Sequence, residues 1–261
     1  VCADEPVRAC VSDEACAFGA SCVDGFCAAG CSTASQSLVY LVSDQGDLYA
    51  FDPRADETSD LRWIGRLDCR AAGRPQSMAV DRTGLAWVFY DSGELFQVST
   101  TSARCRATAY LHPVQEEFNQ LGMSFTGKNP ETLFIVSPAF GLATVDTRSL
   151  QVTPRHTLVG VLAELSGGPD GKLFVWTAAT NSVAELDPAT LATYPLSRFP
   201  FLEGTYAWAF AREGGEFFLF SASDDAPSSS LTVYEETTGE AYVRDYLGFV
   251  VVGAGRSMCT R

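Results

Sequence analysis

Glu164 and Asp81 are the two carboxylates that short apolar strands carry toward a common centre, and a carboxylate pair is what hydrolysis of a glycosidic bond requires. One would protonate the leaving oxygen while the other served as base or nucleophile. Glu164 opens the segment Glu164-Leu-Ser-Gly, whereas Asp81 follows Ser77-Met-Ala-Val, so equivalent strands send them to opposite ends. Glu116, Glu117 and Glu203 fall in loops on the Glu164 side and read as solvated surface. His156 sits on a polar outer segment and His112 at the end of another, away from any nucleophile that a Ser-His-Asp arrangement would need. Ser223-Asp-Asp and Asp52-Pro-Arg-Ala-Asp-Glu lack the spacing and glycine of a calcium loop. The expectation is therefore no catalytic set, no metal and no cofactor.

Recognition is the remaining chemistry. Gln76, Asn119, Gln120, Glu164, Tyr206 and Trp208 fall near the starts of short strands, on one face. Amides and a carboxyl beside a tryptophan and a tyrosine would hydrogen-bond and stack on a sugar ring or a peptide. The competing reading of Trp208 is core packing between neighbouring sheets. The loop Ser221 to Ser230 is the longest insertion on that face, and long loops carry function more often than short ones.

The elements that must position these residues repeat. Leu38-Val-Tyr-Leu-Val, Leu85-Ala-Trp-Val-Phe, Leu133-Phe-Ile-Val, Leu173-Phe-Val-Trp and Phe217-Phe-Leu-Phe read as buried strands. Each is followed by a second strand closing on a polar residue, beginning at Leu48, Leu95, Leu142, Val183 and Leu231, at intervals of 47, 47, 41 and 48 residues. A more polar third strand follows: Leu61 to Asp68, Arg104 to Leu111, Val152 to Val159, Ala192 to Phe199 and Ala241 to Leu247. Pro154 and Pro195 mark these as edges, where a missing ladder donor is tolerated. Four units are preceded by a short small-residue strand suited to a crowded axis: Ser77-Met-Ala-Val, Gly122-Met-Ser-Phe, Glu164-Leu-Ser-Gly and Ala207-Trp-Ala-Phe. The first unit lacks one, and Val251-Val-Gly-Ala-Gly-Arg-Ser near the end supplies it.

Units of this length with four strands describe a propeller, and the late strand closes the ring. The fold class expected is all-β: a five-bladed β-propeller over 37–261, with blade 1 split between 37–69 and 249–259. Residues 1–36 form a small disulfide-rich module.

That module holds six of the nine cysteines: Cys2, Cys10, Cys16, Cys22, Cys27 and Cys31. Their intervals of 7, 5, 5, 4 and 3 residues suit disulfides in an oxidising compartment better than a zinc site. A start at Val1, with neither Met nor an apolar leader, is what removal of a signal peptide would leave. Strand direction brings Cys31 to the face where Cys259 ends the closing strand, predicting a bridge worth about 3–5 kcal/mol. Cys69 and Cys105 then pair by elimination, although one ends an outer strand and the other begins one. Cys10, Cys16, Cys22 and Cys27 pair within the module. Nine is odd, and Cys2 is the expected unpaired residue, which would permit self-association.

The cysteine run with Gly19 and Gly25 at its turns resembles epidermal-growth-factor-like and Dickkopf-like segments. Together with Ser77-Met-Ala-Val-Asp-Arg and Val252-Gly-Ala-Gly-Arg-Ser-Met-Cys259, it makes the chain similar to secreted or surface propeller proteins of the myxobacterial type. That resemblance concerns scaffold and implies no reaction.

With 32 acidic and 18 basic side chains, the net charge of −14 disfavours nucleic acid and acidic membranes as partners. The apolar run Leu247 to Gly255 is about half of what a membrane-spanning helix needs. The function expected is a non-catalytic recognition or adhesion module, secreted or at the cell surface, binding glycan or extracellular protein through one propeller face. The alternatives are a structural subunit of an extracellular assembly and a five-bladed glycoside hydrolase.

Overall fold

The computed structural model describes residues 10–16, 21–23, 25–28, 37–55, 60–111, 120–127, 130–155, 157–202, 205–223 and 227–258. Five four-stranded antiparallel sheets account for nearly all of its regular structure, each running in order from axis to rim. Blade 1 takes its inner strand, Val251–Arg256, from the end of the chain and continues through Val39–Ser43, Asp47–Phe51 and Leu61–Arg66. Blade 2 is Pro75–Val80, Leu85–Tyr90, Glu94–Ser99 and Cys105–Leu111. Blade 3 is Gly122–Thr126, Thr132–Ser137, Gly141–Val145 and Val152–Pro154; blade 4 is Ala163–Gly167, Leu173–Thr177, Ser182–Leu186 and Thr193–Arg198. Thr205–Glu213, Glu216–Ser223, Ser230–Glu235 and Ala241–Tyr246 form blade 5.

Each inner strand packs against those of both neighbouring blades, and the fifth meets the first. Their backbones come so close that side chains hardly fit between them. A Cβ on Gly122 would strike the Ala163 carbonyl oxygen, and one on Gly253 would lie 2.8 Å from the Met78 amide nitrogen. Serine does what glycine cannot, bridging the gap with a hydroxyl. Ser124 Oγ accepts from the Gly167 N–H at 2.6 Å, and Ser166 Oγ from the Arg212 N–H at 2.8 Å.

Outside the inner ring, a separate apolar core fills each of the five gaps between blades. The closing gap sets Phe51 of blade 1 edge-on to Phe218 and Phe220 of blade 5, at 5.4 and 6.2 Å. Above it Arg244 of blade 5 pairs with Asp60 of blade 1 at 2.9 Å, both nearly buried, with its guanidinium 5.5 Å from the Phe51 ring centre. The polar residues that follow the strands Gly141–Val145 and Ser182–Leu186 have a local task. Asp146 Oδ1 accepts from the Arg148 and Ser149 N–H groups, and Asp187 Oδ1 from those of Ala189 and Thr190. These bonds fold the turn to the rim strand and hold both carboxyls below their ordinary pKa.

One strand expectation needs correction. The rim strand of blade 3 covers only Val152–Pro154, not Val152 to Val159. Beyond it the ladder becomes irregular: the Leu142 carbonyl accepts from the Arg155 N–H and the Leu142 N–H donates to the Thr157 carbonyl, before Leu158 takes φ 60°. In blade 4, Pro195 lies within the rim strand, as an edge position allows, beside a bulge at Val183/Ala184.

Cys69 and Cys105 are bonded, with Cα atoms 4.9 Å apart. Sheet twist resolves the conflict between their strand ends. The rim of blade 1 leans onto the hairpin that opens the rim of blade 2. There the Asp68 N–H donates to the Ala103 carbonyl at 3.4 Å, and Asp68 Oδ1 accepts from the Cys105 N–H at 2.5 Å. In the N-terminal segment, Cys10 pairs with Cys22 and Cys16 with Cys27 across the two-stranded sheet Ser21–Val23 and Phe26–Ala28. The segment rests on blade 2, where Ser99 Oγ and Thr101 Oγ1 donate to the Cys27 carbonyl at 2.5 and 3.0 Å. Cys2, Cys31 and Cys259 lie outside the described residues, as do His112 and His156.

Replacing Cys69 and Cys105 together by serine is expected to cost about 3–4 kcal/mol in denaturant unfolding, from the 36-residue separation that the bridge closes. An unchanged midpoint would contradict the tie between blades. Gly253→Ala should lower stability by roughly 1–3 kcal/mol through overpacking of the inner ring. A variant as stable as the parent would show that the strands have room to part.

Candidate functional site

Chain direction decides which side chains reach the mouth of the axis. Every inner strand starts at the same end of the ring, so residues at or just before its first position gather there. Three successive turns after the second strands, at Asp44, Asp91 and Pro138, reach the same end. Together they enclose a cavity of about 270 Å³ lined by Gln76, Gln120, Leu121, Ala163, Glu164, Trp208 and Val252, with Asp44, Arg74 and Asp91 among its charged residues. All five blades contribute.

Four of the six residues expected to bind line this cavity: Gln76, Gln120, Glu164 and Trp208. Tyr206 is the bulged position between Thr205 and Ala207 on the inner strand that carries Trp208. Asn119 lies outside the described residues, as do Glu116, Glu117 and Glu203. Trp208 also packs against the core between blades 4 and 5, so the packing and lining readings both hold.

Glu164 is 6% exposed. Ser77 of blade 2 donates its hydroxyl to Glu164 Oε2 at 3.3 Å, joining two blades that are not neighbours. Burial pushes the Glu164 carboxyl well above the usual range, outweighing the Ser77 hydroxyl and the Leu165 N–H, which favour the charged form. The shift favours the protonated form, which can donate as well as accept. Beside it, Gln76 Oε1 and Gln120 Oε1 are buried without a hydrogen-bond partner. Buried polar atoms are nearly always satisfied, so two orphans on one cavity point to a ligand or water between them.

Asp81 lies at the other end of the ring and is fully occupied. Its Oδ1 accepts from the Thr83 N–H, the Thr83 hydroxyl and the Leu85 N–H, and its Oδ2 from Trp87 Nε1 at 2.9 Å. It shapes a hairpin and leaves nothing for a substrate. Nearby Glu131, bonded by the Arg82 N–H at 2.9 Å, is pushed up to about 7 by burial and by the charge of Asp81.

Asp44, Arg74 and Asp91 are lining residues that the strand pattern did not single out. Asp44 and Asp91 follow the buried aromatic strands of blades 1 and 2 at equivalent positions, Ser43-Asp44 and Tyr90-Asp91, and that equivalence was the available signal. Asp91 Oδ1 accepts from the Arg74 N–H at 2.8 Å and holds the strand entry in place.

No protein-family model and no curated protein sequence matches the chain. Among solved structures, a chain of the nidogen–laminin complex is similar over 86% of this chain and 100% of that one, at 9% identity and a TM-score of 0.55. TolB from Acinetobacter baumannii is similar over 80% of this chain, at 10% identity and a TM-score of 0.48; the chain spans 53% of TolB. At such identity the likeness concerns the fold alone.

The raised Glu164 pKa sets a sign. The unfolded chain releases this proton at about pH 4.3, while the folded chain keeps it to a higher pH. Between the two values the folded state binds more protons, so this residue lowers stability as pH rises. The stability of Glu164→Gln relative to the wild type should therefore be level below about pH 4.3 and climb above it. Glu131 is common to both proteins and cancels. A difference that stays flat from acid to pH 8 would show that Glu164 is ionised in the fold.

Proposed function

We propose that the protein is a non-catalytic recognition module, secreted or held at the cell surface, that takes a glycan or an extracellular protein at the mouth of its axis. One observation carries this reading: a single cavity collects residues from all five blades and is lined by two orphaned amide oxygens, a buried acid and Trp208. Pockets with apolar walls and a few convergent polar groups are where ligands are held. At about 270 Å³ the space suits one sugar ring or one side chain of a larger partner. The disulfides support an oxidising compartment. The net charge of −14 counts against nucleic acid. A chain of similar fold belongs to the nidogen–laminin complex, a precedent for such a ring in protein recognition.

A second reading, a five-bladed glycoside hydrolase, draws on the same carboxyl. A protonated glutamic acid in a cavity is what a general acid requires, and Asp44 and Asp91 share the lining. Asp91 is engaged by backbone, however, and the orphaned amides have no part in that chemistry.

On a glycan and extracellular-peptide array, the wild type should give hits that Trp208→Ala and Glu164→Gln both lose. Hits that survive both substitutions would place recognition elsewhere on the ring. Sugar release from arabinan or fructan that vanishes in Glu164→Gln would replace this reading with the catalytic one.

A further inference from the structure

We propose that the axial cavity selects a primary ammonium group, carried on a lysine side chain or an amino terminus of a protein partner. The inference rests on reading that cavity as a binding site and names its ligand chemistry. An alkylammonium carries three N–H donors and no acceptor. The cavity offers acceptors from three blades: Gln76 Oε1 on blade 2, Gln120 Oε1 at the entry to blade 3, and the Glu164 carboxyl on blade 4. The two amide oxygens are buried without partners, and Glu164 has a hydroxyl and a backbone N–H but no basic partner. Among the described residues no ion pair joins Arg74, the one basic residue of the lining, to Glu164.

Contrast with the opposite end of the axis sharpens the point. There Arg256 meets Glu213 at 2.5 Å, and Arg212 bridges Asp170 and Glu236 at 3.3 and 2.7 Å. At that end the chain's own cations pair with its carboxylates, whereas among the described residues no ion pair reaches Glu164 at the mouth. An external cation placed beside Glu164 would favour its ionised form, as any close opposite charge does. Leu121, Leu162, Pro138 and Trp208 give walls for an alkyl stem. A neutral sugar would satisfy the amides but brings no charge to favour the ionised form of the carboxyl. A bare metal ion would leave most of the 270 Å³ unfilled.

Binding would also favour release of a proton, since a cation beside Glu164 lowers a pKa that burial has raised. The titratable and charged groups facing the cavity are Asp44, Arg74, Asp91 and Glu164, and Glu164 is the one buried.

Calorimetry on the full chain tests this with three lysine amides. Nα-acetyl-lysine amide presents the side-chain ammonium, Nε-acetyl-lysine amide the α-ammonium, and the doubly acetylated amide neither. At least one singly acetylated probe should bind, identifying the source, and the doubly acetylated probe should bind at least tenfold more weakly. The apparent heat should vary with the ionisation enthalpy of the buffer, and Glu164→Gln, checked for an intact unfolding transition, should weaken binding at least tenfold. Equal binding of the doubly acetylated probe, or of the wild type and Glu164→Gln, would overturn the inference. Silence toward every amine beside array hits lost on Glu164→Gln would overturn it while leaving the recognition reading intact. Silence in both assays would remove both.

Discussion

The distance between backbones at the axis is the constraint on which this molecule turns. Five inner strands stand so close that a single added methyl on Gly122 or Gly253 meets a neighbouring strand's backbone. Small residues thus recur at alternate positions of the inner strands, and serines use their hydroxyls to bond the next blade. Between them Met78, Met123, Leu165 and Phe210 fill the interblade cores. The mouth is the place where Gln76, Gln120, Glu164 and Trp208 gather, and the site is a consequence of the packing that closes the ring.

The two ends of the axis then diverge in electrostatics. At one end, Glu213 with Arg256 and Arg212 with Asp170 and Glu236 neutralise one another within the chain. At the mouth, Glu164 is buried without such a partner, and burial raises its pKa toward the protonated form. Isolating a carboxyl this way is costly for a fold.

The blades were legible in the sequence because buried middle strands read as aromatic and β-branched runs, and because the first unit's missing strand reappears as Val251–Arg256. Glu164, Gln76, Gln120 and Trp208 were legible for the same reason: strand direction alone sends them to one end. Where twist matters, linear reasoning stopped. It set Cys69 and Cys105 at opposite strand ends, whereas the twisted rim of one blade meets the hairpin of the next. Residues in turns were also opaque. Asp44 and Asp91 look like ordinary turn carboxylates until the turns are seen to ring the cavity, and the chain past Pro154 pairs irregularly with Leu142 where the pattern suggested more strand.

The central claim is that a buried carboxyl with a raised pKa stands at the mouth of a closed ring. Carbon-13 NMR of side-chain carboxyls, followed across pH with Glu164→Gln for assignment, reports on it directly. The expected result is one glutamate resonance, missing from the variant, whose titration midpoint lies well above that of an exposed glutamate. Its shift should move toward the ionised value when a bound cation enters. A Glu164 resonance that titrates near pH 4.3, like an exposed glutamate, would contradict it.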